Sequence, residues 1–199
     1  FLVGCNTTKG FKVEKELGLL DVVKERGYVI CGVNAGLPGF SAKDEEGNWS
    51  GLDVDFCKAV AAGIFGDSNK VEFIGLNAGQ RFPTLASGEI DLLARNTTWT
   101  ISRDVNLMFE FAGVNYYDGQ GFLVPTDLDI ENATELNGAF VCITAETTSE
   151  LNLNDYFAEN NMAYRPVYVE GNKDAKAKLF NGECDVFTTD ASGLASARA

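Results

Sequence analysis

Tyr28-Val29-Ile30-Cys31-Gly32-Val33 is a near-continuous apolar run six residues long. It lacks the period-two alternation of a half-exposed strand, so it reads as a strand buried on both faces, the pattern of a parallel sheet covered by helices. What surrounds it supports that reading. Leu19 to Gly27 before it is a short amphipathic helix closed by glycine, and Asn34 to Gly39 after it is a turn-rich segment. A polar hairpin follows around Asp44 to Asn48. Leu52 to Phe65 then has helical apolar spacing, with Val54, Ala61 and Ile64 directed inward.

The alternation continues outward from there. Val71 to Ile74 is a strand, Gln80 to Ser87 a helix ended by Gly88, and Glu89 to Ala94 a third strand. After Phe111 comes an extended, glycine-rich stretch through Gly121. Beyond it strands are expected at 122–124, 139–144, 166–169 and 184–189, with helices ending at 135–138 and over 150–160 and 175–180. Strands alternating with helices imply βαβ units and mainly parallel sheets flanked by helices, an α/β protein. Two similar units emerge, 19–116 and 117–199, joined by a hinge at about 115–121. The second ends in Ala191 to Ala199, a helix start without a stop signal, so a missing C-terminal part is expected.

Composition narrows the function. The 199 residues carry a formal net charge of −13 and no histidine. An acidic chain does not suit nucleic acid, whose phosphates demand a basic face. Lacking histidine, it lacks the commonest general base and metal ligand. No stretch approaches the roughly 20 apolar residues of a membrane span. Leu2-Val3-Gly4-Cys5 has two readings: an arbitrary apolar boundary, or a lipobox whose Cys5 carries lipid, with 1–18 as a tether. If Cys5 carries lipid, Cys31, Cys57, Cys142 and Cys184 remain. None is paired at CxxC spacing, so two disulfides or four buried thiols are left, and no metal or cofactor is expected.

In open parallel sheets ligands bind beyond the carboxyl ends of the strands. The segments there are rich in hydroxyls: Arg95 to Arg103, Thr144 to Ser149 and Thr188 to Asp190. An arginine clamps a carboxylate with two parallel hydrogen bonds, an aspartate balances an ammonium, and threonines supply neutral partners. Such a set suits a zwitterion, although threonine clusters also cap helices and make turns.

Gly51-Leu52-Asp53-Val54-Asp55-Phe56, with Val60, Ala61 and Ile64 on the same helix, resembles the signature of the polar amino-acid family of periplasmic solute-binding proteins, which have the two-lobe type II periplasmic binding fold. Residues 31–34, 38–41, 96–100 and 116–122 are similar to its general L-amino-acid-binding subgroup, and the resemblance spans 19–199. It implies extracytoplasmic capture of an L-amino acid and delivery to the permease subunits of an ABC importer, without catalysis. The family also implies the alternatives, a cyclohexadienyl-dehydratase-like enzyme or a sensor domain. It implies a monomer in the periplasm or on an extracytoplasmic membrane surface, held to the membrane only by lipid on Cys5.

By the same resemblance Arg103 grips the α-carboxylate and Thr98 lies at the hydroxyl position before it. Asn96 offers a backbone carbonyl to the ammonium, Asp190 is the ammonium's aspartate, and Thr144, Thr147 and Thr148 close from the second lobe. Asn34 stands where some relatives carry an aspartate that reads the side chain. Leu37, Phe40 and Trp49 are pocket-wall or core candidates. Arg81 is a second carboxylate reader or, in preference, a surface salt bridge. Asp53 and Asp55 read as helix-dipole and capping residues. Trp99 packs under the ligand or fills the lobe. Within this arrangement Cys31 ends a strand beside the helix bearing Cys57, and Cys142 and Cys184 lie on neighbouring strands. Bridges 31–57 and 142–184 are therefore expected.

Overall fold

The computed structural model describes residues 17–198; Cys5 and the tether lie outside them. In chain order the elements are α1 (Leu19–Arg26), β1 (Val29–Asn34), β2 (Ala42–Lys43), β3 (Trp49–Ser50), α2 (Leu52–Phe65), β4 (Val71–Leu76), α3 (Arg81–Ala86) and β5 (Leu92–Leu93). A single π-type turn, Ser102–Asn106, precedes β6 (Gln120–Leu123). A 3₁₀ turn at Ala133–Leu136 leads to β7 (Phe140–Ile143), α4 (Thr148–Glu159), β8 (Arg165–Tyr168), α5 (Asn172–Phe180), β9 (Val186–Asp190) and α6 (Ala191–Arg198).

Two main sheets result. The first, ordered β4-β1-β5, is all parallel and draws only on residues before 94. The second, ordered β6-β9-β7-β8, is parallel except for β6, which runs antiparallel to β9. The β2–β3 hairpin stands apart. In β1, Val29, Cys31, Gly32 and Val33 are buried, which is why that run shows no alternation. Helix α2 covers the sheet with Val54, Cys57 and Ala61, spaced to share one face, and ends on Gly66 in the left-handed conformation. The third strand is shorter than 89–94: β5 is in register with β1 at Cys31–Leu92 and Gly32–Leu93, with the Asp91 and Ala94 N–H groups donating to the Ile30 and Gly32 carbonyls at 2.9 Å on either side. Gly32 is needed there: a β-carbon would lie 2.6 Å from Ile90 Cδ1 and 2.9 Å from Leu76 Cδ1.

Disulfides join Cys31 to Cys57 and Cys142 to Cys184, one beneath each sheet. All four cysteines are buried in core clusters. A thiol titration in denaturant without reductant is therefore expected to find no more than one reactive group, that of Cys5; four or five would contradict the pairing.

Two assignments made from sequence, the Arg81 salt bridge and the capping role of Asp53, are corrected. Arg81 is not in a surface salt bridge: it is 2% exposed, and no carboxylate among the described residues lies within 4.0 Å of it. The sequence shows a charged residue at a helix start but not what packs over it. Asp53 does not cap α2 either. The residue before the helix is Gly51, and Asp53 is buried, accepting a hydrogen bond from Asn115 Nδ2 at 3.4 Å. Burial pushes its carboxyl above the ordinary value. Asp55 stays outside, 3.9 Å from Lys58 Nζ.

Candidate functional site

The carboxyl ends of β1, β4, β5, β7 and β9 point into one cavity of about 540 Å³ between the two sheets. Each end delivers polar groups: Asn34 from β1, Asn77 after β4, Arg95 and Asn96 after β5, Thr144 after β7, and Thr189 with Asp190 from β9. Thr98 and Arg103 enter from the loop and the π-type turn that follow β5. Thr147, Thr148 and Ser149 enter from the start of α4. All eight residues singled out from sequence, Asn34, Asn96, Thr98, Arg103, Thr144, Thr147, Thr148 and Asp190, line this space.

Their local geometry follows from backbone needs. Thr147 caps α4, its Oγ1 accepting from the Glu150 N–H at 3.2 Å and donating to the Thr144 carbonyl at 2.7 Å. The helix thus presents its first N–H groups to the cavity, a favourable place for an anion. Arg103 is 8% exposed, donates from Nη1 to the Thr98 carbonyl at 2.8 Å, and lies 5.2 Å over the Phe82 ring. A relay of amides ends at the acid. Asn34 Nδ2 donates to Asn96 Oδ1 at 2.9 Å, and Asn96 Nδ2 donates to Asp190 Oδ2 at 3.2 Å. It is the Asn96 side chain that meets Asp190, a contact that attention to its backbone carbonyl did not anticipate. Burial pushes the Asp190 carboxyl above its ordinary value, with the Asn96 hydrogen bond opposing.

The two sheets' residues touch across the cavity. Besides Asn96 and Asp190, Thr98 and Thr148 share a hydroxyl hydrogen bond at 3.0 Å, and Arg81 Nη2 donates to the Glu146 carbonyl at 3.2 Å.

Sequence reasoning passed over Arg95. Its guanidinium donates to the carbonyls of Leu76 at 3.3 Å and Asn77 at 2.8 Å, and to Asn96 Oδ1. The two carbonyls lie 19 and 18 residues away, so only the fold reveals the role. Burial lowers the pKa of Arg95 to about 10 and, with repulsion from the other two guanidinia, that of Arg81 to about 9; both remain charged at neutral pH. Of the wall candidates, Leu37 lines the cavity, whereas Trp49 packs on Phe73 in the core and Phe40 sits edge-on to Tyr116. Trp99 is half-exposed, stacked on Phe111, its Nε1 donating to Asp104.

This arrangement, two α/β units with polar strand ends facing a shared cavity, is the architecture of a two-lobe binding fold. Residues 29–192 match the model of the bacterial extracellular solute-binding proteins, family 3, and the chain belongs to that family, with its type II periplasmic binding fold. It is 56% identical, over 90% of its length and 52% of the relative's, to the general L-amino acid-binding periplasmic protein AapJ of Rhizobium johnstonii. It is 53% identical, over 90% of its length and 53% of the relative's, to the glutamate/glutamine/aspartate/asparagine-binding protein BztA of Rhodobacter capsulatus. The chain spans about half the length of these curated relatives. Among solved structures it resembles an ABC transporter periplasmic binding protein from Brucella ovis with glutathione bound. There the TM-score is 0.88 and the identity 51%, covering 92% of this chain and 58% of that one.

Proposed function

We propose that this chain forms the ligand trap of an amino-acid importer: it captures L-amino acids outside the cytoplasmic membrane and hands them to an ABC-type permease. The observation that carries the reading is the convergence of Arg103 from one lobe and Asp190 from the other on one cavity lined with hydroxyls. In this reading Arg103 clamps the α-carboxylate, aided by Thr98 and by the α4 N–H groups at Thr147 and Thr148. Asp190, steadied by Asn96, pairs with the α-ammonium. Thr144 adds a hydroxyl from the second lobe, and Asn34 faces the ligand side chain with a neutral amide. Residues 115–121, where the chain passes between the lobes, act as the hinge for closure. The names of AapJ and BztA, both amino-acid binders, support the same conclusion.

Titration calorimetry with a panel of L-amino acids is expected to give one-site, saturable binding; no heat with any member of the panel would overturn the proposal. The affinity carries a pH signature. The ammonium needs an ionised Asp190, whose carboxyl burial has raised, so protonation begins at a higher pH than for an ordinary aspartate. Affinity should therefore fall as pH drops from 7, before an exposed carboxylate would titrate at about pH 4. Constant affinity down to that pH would argue against Asp190 as the ammonium's partner.

A further inference from the structure

Gln120, the first residue of β6, lies outside the lining of the ligand cavity, yet its side chain joins the two elements that deliver the second lobe's binding groups. Its Nε2 donates to the Ser149 carbonyl in the first turn of α4 at 3.0 Å and to Thr188 Oγ1 on β9 at 3.0 Å. Its Oε1 accepts from Asn152 Nδ2, one turn along α4, at 3.1 Å. These neighbours leave the amide one orientation. The Ser149 carbonyl can only accept, and Thr188 spends its one hydroxyl proton on the Gly121 carbonyl at 2.7 Å. Residue 120 must therefore present two donors on one side and an acceptor on the other, which glutamine does and an ionised glutamate does not.

The first turn of α4 depends on this tie. Leu153 and Phe157 anchor the later turns in the core, whereas the earliest intrahelical bond, from the Leu151 N–H to the Thr147 carbonyl, is long at 3.5 Å. That turn carries the Thr147 and Thr148 N–H groups assigned above to the α-carboxylate. Across the strand pair, Gln120 stands opposite Asp190 in the β6–β9 register, and the Gly119 carbonyl accepts from the Ala191 N–H at 2.7 Å. The chain at 119–120 thus holds the ammonium's aspartate through its backbone and the carboxylate's helix through the Gln120 side chain. A binding turn fixed in advance spares every ligand that uses it an ordering cost.

We propose that Gln120 is a positioning residue of the trap: it does not meet the ligand, and it sets affinity by holding the α4 turn at the distance from Asp190 that an α-amino acid requires. This rests on the amino-acid-trap reading and adds to it. The α-carboxylate and α-ammonium are common to all L-amino acids, so the effect is blind to the ligand's side chain.

Gln120→Met keeps the side chain's length without its hydrogen bonds. In calorimetry every amino acid that binds the unaltered protein should bind the variant about tenfold more weakly, by a factor that agrees within about twofold between ligands. Amide hydrogen exchange should quicken at Leu151 and Asn152 while the last turn of α4 stays protected. A lowered thermal midpoint with unchanged affinity would make Gln120 merely structural and overturn the inference. So would a loss confined to ligands with particular side chains. If Gln120→Met does not fold, Asn152→Ala carries the test, because Asn152 is exposed and its loss frees only Gln120 Oε1. Faster exchange at Leu151 with about two- to threefold weaker binding is then expected, and no change in either would overturn the inference. Binding to the unaltered protein is the control for the trap itself: if no amino acid binds it, both readings fall.

Discussion

Arg103→Ala is expected to weaken L-amino-acid binding by about 2–5 kcal/mol, roughly 30- to several thousand-fold, enough to remove it from a calorimetric titration. The size comes from what is left behind. In the closed trap the α-carboxylate is drawn out of water, and without the guanidinium it keeps only the hydroxyls and the α4 N–H groups. Asp190→Asn is expected to do the same to the ammonium, while the Asn96 contact survives in altered form. Folding should tolerate both changes. Arg103 contributes one side-chain hydrogen bond to its own loop, and Asp190 ends its strand rather than filling the core. Near-wild-type thermal midpoints with lost binding would fit; undiminished affinity in either variant would refute that residue's assignment.

Gly51→Ala should be the most damaging small substitution for stability, about 3 kcal/mol or more. Gly51 sits at φ 121°, and an added β-carbon would fall 2.4 Å from the Phe40 carbonyl oxygen and 2.5 Å from its carbon. Those are backbone atoms, and they are not free to move. The Leu52 and Asp53 N–H groups donate to the carbonyls of Gly39 and Phe40 at 3.0 and 2.9 Å, so the loop supplies the first bonds of α2. Gly63→Ala is the internal contrast. It lies inside α2 with open space around the new β-carbon and should stabilise by about 0.5–1 kcal/mol. Urea denaturation of the pair checks both signs; a harmless Gly51→Ala would mean the loop yields.

The sequence patterns that located the site were those whose cause is local. Helix α2 shows its full length because glycines bound it and its buried residues recur at helical spacing. The hydroxyl-rich segments stand directly after apolar runs, so the rule about strand ends reached the three segments that hold seven of the eight residues, while Asn34 and the individual roles came from the family resemblance. What escaped was set by distant partners. Arg81 looks like any surface arginine until Phe82 and the Glu146 loop, 65 residues away, are seen to cover it. Asp53 resembles a helix-start acid, and only its meeting with Asn115, 62 residues on, reveals its burial. The strand expected at 89–94 is shorter, in register with β1 at Leu92 and Leu93 and hydrogen-bonded to it at either side by the Asp91 and Ala94 N–H groups.

The pairing order of the two disulfides has a consequence for biogenesis. Both cysteines of the first bridge precede both of the second, with separations of 26 and 42 residues. Four cysteines admit three pairings. A chain entering an oxidising compartment from its N-terminal side has Cys31 and Cys57 available to each other before Cys142 arrives. The native pairing is thus also the one that vectorial delivery favours, and it needs no later reshuffling. Neither crosslink ties one lobe to the other, so oxidation can lock each half covalently and leave their relative motion free.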